Sequence, residues 1–386
     1  MKISVVPSVL VVLLLSACSS VVQKTPFLAD KGPLAQALSG ELILGRNYKA
    51  EELPNRDLFG LSPEMEAFAE SATAAVRLQD SKAEALHLAL MSSTDAGGRG
   101  VTYSAYYTNT GVEAFEQRQA NCLSYTLMYV AMARHLGLNA EVNEVMLPPT
   151  WDMRAGDTYL FMRHVNAKVF MPRKRSLPWV RVMETADVGD IVVDLEMRRF
   201  KAHYKQKVIG KDLVAAQFYS NRGMELAAEG KTTEAFLYLR KALLMSEEPS
   251  YIWSNFGSFY RRHKFYAQAE AIYLHGLAIN PRDYTIMHNL AGMYQELGND
   301  AKHQEYKQRV RQHRNANPYY MFKRAEELVA LGDDEKALNL LKKALKKEKG
   351  EQRFFRLAAE IYERQGDTHN AELMRDKIYQ LSTIRF

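Results

Sequence analysis

The chain has 386 residues, 47% of them hydrophobic and 25% charged, which excludes a mostly disordered or fibrous polymer and supplies apolar surface for a large core. At roughly 100 to 200 residues per domain the length predicts two units, and a net charge of +6 is too small an excess to argue for nucleic acid as a partner. Only two cysteines occur, Cys18 and Cys122, which excludes a disulfide scaffold and any multi-cysteine metal or iron–sulfur site.

Met1-Lys2 forms a positive start, Val5 to Leu15 is an apolar run interrupted by Pro7 and Ser8, and Leu15-Ser16-Ala17-Cys18 closes it with small residues and a cysteine. This is a signal-peptide pattern, too short to span a bilayer comfortably, and no later apolar stretch approaches ~20 residues. The four residues resemble the lipobox of bacterial lipoproteins. The resemblance implies that residues 1–17 are removed and that Cys18 receives a diacylglyceryl group, becoming a membrane anchor. Multiple acyl chains anchor stably where one is marginal, at about 0.8 kcal/mol per buried methylene. Ser19 stands where lipoproteins kept at the inner membrane usually carry Asp, which implies the outer membrane, facing the periplasm. An ordinary cleaved signal with an incidental cysteine is the alternative. Residues 18–40 lack strong periodicity and read as a tether.

Residues 41–205 carry a mixed pattern. Ser62-Pro63-Glu64 opens one helix with an N-cap, a proline at the first position and an early acid, and Ser81-Lys82-Ala83-Glu84 reads as a capping box for a second. Gly97-Gly98-Arg99-Gly100 is a loop, and Thr110 with Glu113 is another capping box, opening a short helix toward Arg118. Asn121-Cys122 precedes an apolar helix from Leu123 to Leu136 that ends at Gly137. Cys122 therefore sits at a helix N-terminus, where free amides and the helix dipole favour a thiolate nucleophile.

Three strand patterns follow, over 140–145, 161–170 and 190–194. In the second, His164, Asn166 and Lys168 share one face and Val165, Ala167 and Val169 the other, so His164 can face a site while its neighbours pack. The third ends at Asp194. A cysteine on a helix followed by His and Asp on strands suits nucleophilic catalysis, with His as base and Asp orienting it. Asp187 and Asp190 are alternatives for the acid. His87 and His135 fall in helices without evident partners and read as surface or packing residues, and Pro148-Pro149-Thr150-Trp151 reads either as a border of the cleft or as a rigid loop.

Phe115 to Leu138 with Cys122, Arg163-His164-Val165-Asn166 and Ile191-Val192-Val193-Asp194 resemble the three core motifs of the transglutaminase-like superfamily, of papain-like topology. The resemblance covers about Leu61 to Glu196, with gaps of 42 residues from Cys122 to His164 and 30 from His164 to Asp194. It implies an α+β domain in which Cys122 is the nucleophile, His164 the base and Asp194 its orienter, acting by acyl transfer on peptide or protein amides without a cofactor. Ala120-Asn121 departs from the glycine that many members place before the cysteine. The Cys122 amide is one candidate oxyanion donor, and Tyr103, Tyr106 and Tyr107 are candidates for a second. No GxxxxGK[ST], GxGxxG, GxSxG or CxxC motif is present, which argues against nucleotide, serine-hydrolase and thiol-redox chemistry.

Residues 206–386 repeat with a step of 34, seen at Gly223, Gly257, Ala291, Ala325 and Ala359, and again at Gly230, Lys264, Gly298, Gly332 and Gly366. Small residues recur at Ala235, Ala269, Ala337 and Ala371, with His303 breaking the register. This is the pattern of the tetratricopeptide repeat, two antiparallel helices that approach closely at small residues with a glycine in the turn. It predicts an all-α solenoid of five repeats that folds on its own, presents a groove to a protein or peptide partner, and has its loosest helix around His303, Lys307 and Val310. The same array could serve as a spacer. The lysine run at 342–349 reads as a solvated helix face, and the histidines at 263, 275, 288, 303 and 313 lack metal-ligand spacing. Two functions follow: an envelope enzyme with a cysteine-dependent domain, or a lipoprotein scaffold acting through its repeats.

Overall fold

The computed structural model describes residues 32–147, 150–152, 158–160, 163–171, 189–195 and 204–383. Cys18 and Ser19, the signal segment 1–17, Pro148, Pro149 and Asp187 lie outside the described residues.

The described chain opens with α1 (Pro33–Ser39), which turns at Gly40, φ +82°, into α2 (Glu41–Leu44). This corrects the reading of 18–40 as tether to its end. Leu34, Ala37 and Leu38 fall at i, i+3 and i+4, a stripe too short to register as periodic yet enough to bury one face. That face rests on the repeats. The Tyr260 hydroxyl donates to the Ala37 carbonyl at 2.7 Å and Arg240 Nε to the Leu38 carbonyl at 3.1 Å.

Next come α3 (Pro63–Thr73), whose Ser62 cap accepts from the Met65 amide, and α4 (Gln79–Met91). The expected capping box at Ser81 does not form, because α4 starts at Gln79, three residues before the start that a Ser81 cap would set, and Asp80 Oδ1 accepts from the Ser81 amide at 2.7 Å. β1 (Thr102–Tyr103) lies parallel to β2 (Gln119–Ala120), with α5 (Gly111–Gln117) between them in sequence and opened by the Thr110–Glu113 capping box as expected. α6 (Cys122–His135) is buried from Leu123 to Ala133.

Beside α6 lies a sheet made of β3 (Ala140–Met146), β6 (Arg163–Val169), β7 (Ile191–Val193) and β8 (Gln206–Val208), in the antiparallel order β7-β6-β3-β8. β4 (Thr150–Asp152) and β5 (Thr158–Leu160) form a separate hairpin before β6. β8 corrects the boundary drawn at 206: Gln206 pairs with Val145 and Val208 with Asn143, so these residues complete the sheet. Three residues of alternation carry too little pattern to be told from a helix lead-in.

Ten helices follow, in five antiparallel pairs: α7 (Lys211–Ala228) with α8 (Thr232–Met245), α9 (Ser250–Arg262) with α10 (Tyr266–Ile279), α11 (Tyr284–Glu296) with α12 (Asp300–Ala316), α13 (Pro318–Ala330) with α14 (Asp334–Lys347), and α15 (Gln352–Arg364) with α16 (Thr368–Thr383). The second helices start at 232, 266, 300, 334 and 368, one 34-residue step each, and this part of the chain is a tetratricopeptide-like solenoid. At Gly257 an added Cβ would fall 2.5 Å from the Tyr273 ring, so only glycine permits that crossing. The turn register has φ between +67° and +81° at its four glycines, and Lys264 takes +62° in the same place. In α12 only Tyr306 is buried, in keeping with the loose packing expected of that helix.

One hydrophobic core runs without interruption from Ala37 through α6 and the sheet to Tyr306, and a second gathers Met321 to Ile361. The array is thus not separable at residue 206, as the repeat register alone suggests. Phe218 and Tyr219 of α7 are buried within the first core, the Arg56 amide donates to the Tyr219 hydroxyl at 2.9 Å, and Gln217 Nε2 donates to Glu144 at 3.0 Å.

Candidate active site

Cys122 occupies the first position of α6 because Asn121 caps the start of the helix: its Oδ1 accepts from the Ser124 amide at 2.9 Å and from the Ser124 hydroxyl at 3.0 Å. Asn121 has φ −84°, ordinary extended backbone, so the turn before the cysteine does not require a glycine. The cap is itself braced, since Asn121 Nδ2 donates to Thr108 Oγ1 at 2.8 Å. Cys122 is half-buried.

His164 enters from β6, where it stands opposite Val145 of β3, and Asp194 follows directly on β7. Both are almost wholly buried, at 4% and 1% exposure. His164 Nε2 is hydrogen-bonded to Asp194 Oδ2, and Cys122 is the second side-chain partner of the ring. The structure therefore brings the three residues together. Burial of the ring opposes its positive charge, but the hydrogen bonds and charges of Asp194 and Cys122 outweigh it, raising the His164 pKa to about 10. At neutral pH the ring carries its proton, between a carboxylate and a sulfur.

Behind Asp194 runs a ladder of buried amides. Asn166 Nδ2 donates to Asp194 Oδ2 at 3.3 Å, and Asn143 Nδ2 donates to Asn166 Oδ1 at 2.8 Å and to Gln206 Oε1 at 3.0 Å. The alternation that sets His164 and Asn166 on one face carried this signal, though not its destination. Asp190, an alternative acid, is exposed and pairs with Lys168 at 3.2 Å instead.

The two helical histidines also correct the sequence reading. His87 Nδ1 meets the Tyr125 hydroxyl at 2.7 Å, and its pKa is lowered by burial, partly offset by the charges of Asp194 and Glu84. His135 Nε2 meets Glu70 at 2.9 Å. Neither partnership could be read locally, since each crosses between helices. Of the tyrosines offered as oxyanion donors, Tyr106 is 81% exposed and Tyr107 lies against the Arg222 guanidinium, whereas Tyr103 is set beside Ala120 by the β1–β2 ladder. Among the described residues no group of three His, Cys, Asp or Glu side chains could hold a metal ion, and no helix is long and apolar enough to cross a membrane.

No family model matches the chain, and no curated protein matches it either. Among solved structures, MamA from Desulfovibrio magneticus RS-1 is similar over 46% of this chain and 100% of its own, at 15% identity and a TM-score of 0.25. PilF from Pseudomonas aeruginosa is similar over 44% of this chain and 78% of its own, at 16% identity and a TM-score of 0.26. YrrB, described as a TPR protein with an unusual peptide-binding site, is similar over 44% and 88%, at 18% identity and a TM-score of 0.24.

Proposed function

We propose that the chain is a lipid-anchored envelope protein with a transglutaminase-like domain, in which Cys122, His164 and Asp194 perform acyl transfer on a peptide or protein amide while the repeats hold a partner or substrate. The observation that carries this reading is the buried His164 ring, with Asp194 on one side and Cys122 on the other. The sulfur attacks the amide carbonyl carbon, and the oxyanion is received at the N-terminus of α6. As the C–N bond breaks, His164 gives its proton to the leaving nitrogen, and the acyl group stays on Cys122 as a thioester. Water or an amine then attacks the thioester carbon and passes a proton back to His164; the C–S bond breaks, the bonding pair returns to the Cys122 sulfur, and the acid or the new amide leaves, so the cycle closes as hydrolysis or transamidation. Asp194 holds the ring in register and favours its charged form, and the Asn166–Asn143 ladder holds Asp194.

The test is alkylation of Cys122 by iodoacetamide at neutral pH and, on separate unalkylated protein, mass detection of an acyl adduct released by hydroxylamine after incubation with peptide amides. Rapid labelling and an adduct, both lost in Cys122→Ala, are expected. A thiol that stays unlabelled in the folded protein refutes the enzyme reading.

A scaffold without catalysis is the second reading, and the docking of α1 on the repeats favours it, since the array already holds one polypeptide segment of its own chain. Anchoring at the outer membrane, facing the periplasm, rests on Leu15-Ser16-Ala17-Cys18 and Ser19. Acyl mass on Cys18, and its loss with membrane partition in Cys18→Ala, are the expected results.

A further inference from the structure

The lysine run at the distal end of the array is more than a solvated face. On α14, Lys342, Leu345 and Lys346 fall at i, i+3 and i+4 and so form one stripe, and Lys349 stands just past the end of the helix on the same groove. Facing it, α16 contributes Lys377 and Leu381, and Phe355 of α15 forms part of the floor. Together they line an open groove of about 660 Å³, apolar at its base and cationic along its rim. Lys342, Lys346 and Lys349 are exposed, and none makes a salt bridge among the described residues, whereas Lys336 at the start of the same helix is paired with Asp333.

One position of this groove, Lys342, has a counterpart that already receives a helix. Three 34-residue steps before Lys342 stands Arg240 of α8, and the face shared by α8 and α10 is where α1 docks. There Gln268 of α10 donates to Gln36 of α1 at 3.0 Å, and Arg240 donates to the Leu38 carbonyl at the C-terminal end of the docked helix. A cation in this register thus receives the negative end of a short helix. Arg240 is covered and 3% exposed, while Lys342 is bare.

We propose that the groove between α14 and α16 docks an acidic amphipathic helix from a partner polypeptide. Apolar side chains of that helix, at i and i+4, enter over Leu345, Phe355 and Leu381, and its carboxylates lie along Lys342, Lys346, Lys349 and Lys377. Four cations and no carboxylate in the lining require an anionic occupant, and two helical stripes flanking an apolar floor fit a helix better than an extended strand. The inference stands apart from the chemistry at Cys122 and holds whether or not that site turns over.

The experiment is selection of a displayed peptide library on the full chain and on a Lys342→Glu, Lys346→Glu, Lys349→Glu variant, with circular dichroism showing equal helicity for both. The substituted side chains are exposed, so the fold is retained. The expected result is enrichment on the parent chain of peptides with Asp or Glu beside apolar residues spaced i and i+4. A synthetic peptide of that class should bind at least about tenfold more weakly to the triple variant, and more weakly to the parent as salt rises. Leu381→Glu, which spares the lysines, should also weaken it. Enrichment that the triple variant leaves unchanged overturns the proposal. So does lysine-dependent binding to phosphatidylglycerol vesicles without peptide binding, which makes the face a membrane contact. Lysine-dependent self-association without peptide binding overturns it as well, by making the face a contact between copies.

Discussion

Glu225, on the first repeat helix, accepts hydrogen bonds from both the amide and the hydroxyl of Thr108, at 2.9 and 2.8 Å through the same Oε1. Thr108 Oγ1 in turn accepts from Asn121, the cap of the cysteine helix. A carboxylate of the solenoid therefore braces the start of α6 through a single intervening residue.

Glu225→Ala leaves the buried Thr108 amide without its acceptor, and should destabilise the protein by about 1–3 kcal/mol while slowing alkylation of Cys122. Arg222→Ala, which removes the partner of the other Glu225 oxygen and leaves the Thr108 acceptor in place, should have a smaller effect on both. Urea midpoints and second-order labelling rates check this. Equal labelling rates in parent and Glu225→Ala would show that the brace does not reach the sulfur.

His164 supplies a pH dependence whose sign is fixed. Its pKa in the folded protein is raised to about 10, above an unfolded value of about 6.5, so its contribution to stability is complete below the lower value and is lost as pH rises toward the higher one. The melting temperature should fall between about pH 6.5 and about pH 10. Asp194→Asn removes the anionic partner of the ring and should flatten that slope while lowering stability at neutral pH. An unchanged slope in this variant would place the titration elsewhere.

Much of this arrangement was legible because it repeats or alternates. The 34-residue step recurs since each repeat puts the same position into the same contact, and Ser62, Thr110 and Asn121 mark helix starts because capping is settled within three residues. The His164 strand face showed in its period of two. What stayed hidden are contacts between distant parts of the chain: Thr108 with Glu225, His87 with Tyr125, and α1 on α8 and α10. No local period encodes a partner on another element. β8 and α1 were missed for a related reason, their patterns being too short to exceed chance.

Lys264 holds φ +62° at the one turn of its register that lacks glycine. A side chain in this left-handed region costs roughly 1–2 kcal/mol, and glycine gives back part of that gain through the entropy of the unfolded chain. Lys264→Gly should stabilise the protein by about 0.5–1 kcal/mol, read as a higher urea midpoint at unchanged slope. A lower midpoint would mean that the lysine side chain contributes more than its backbone loses.

The division into two cores predicts where the chain tolerates loss. Ending it at Ala316 removes the Met321–Ile361 core and leaves the Ala37–Tyr306 core whole, so the Cys122 labelling rate should stay within about twofold of the parent. Starting it at residue 206 instead strips Phe218 and Tyr219 of their cover and should give an aggregation-prone product. A soluble, cooperatively melting product of the second kind would contradict the shared core.

That shared core has a consequence for reach. Where a flexible linker joins a binding module to a reactive group, the local concentration of the bound ligand is an average over many linker shapes. Here the first three repeats and the sulfur belong to one packed body, so a ligand seated on those repeats meets Cys122 at one separation and orientation or not at all. Under the proposed acyl-transfer reading, the array would act as a gauge, selecting among bound chains by how far their susceptible bond lies from the point of attachment.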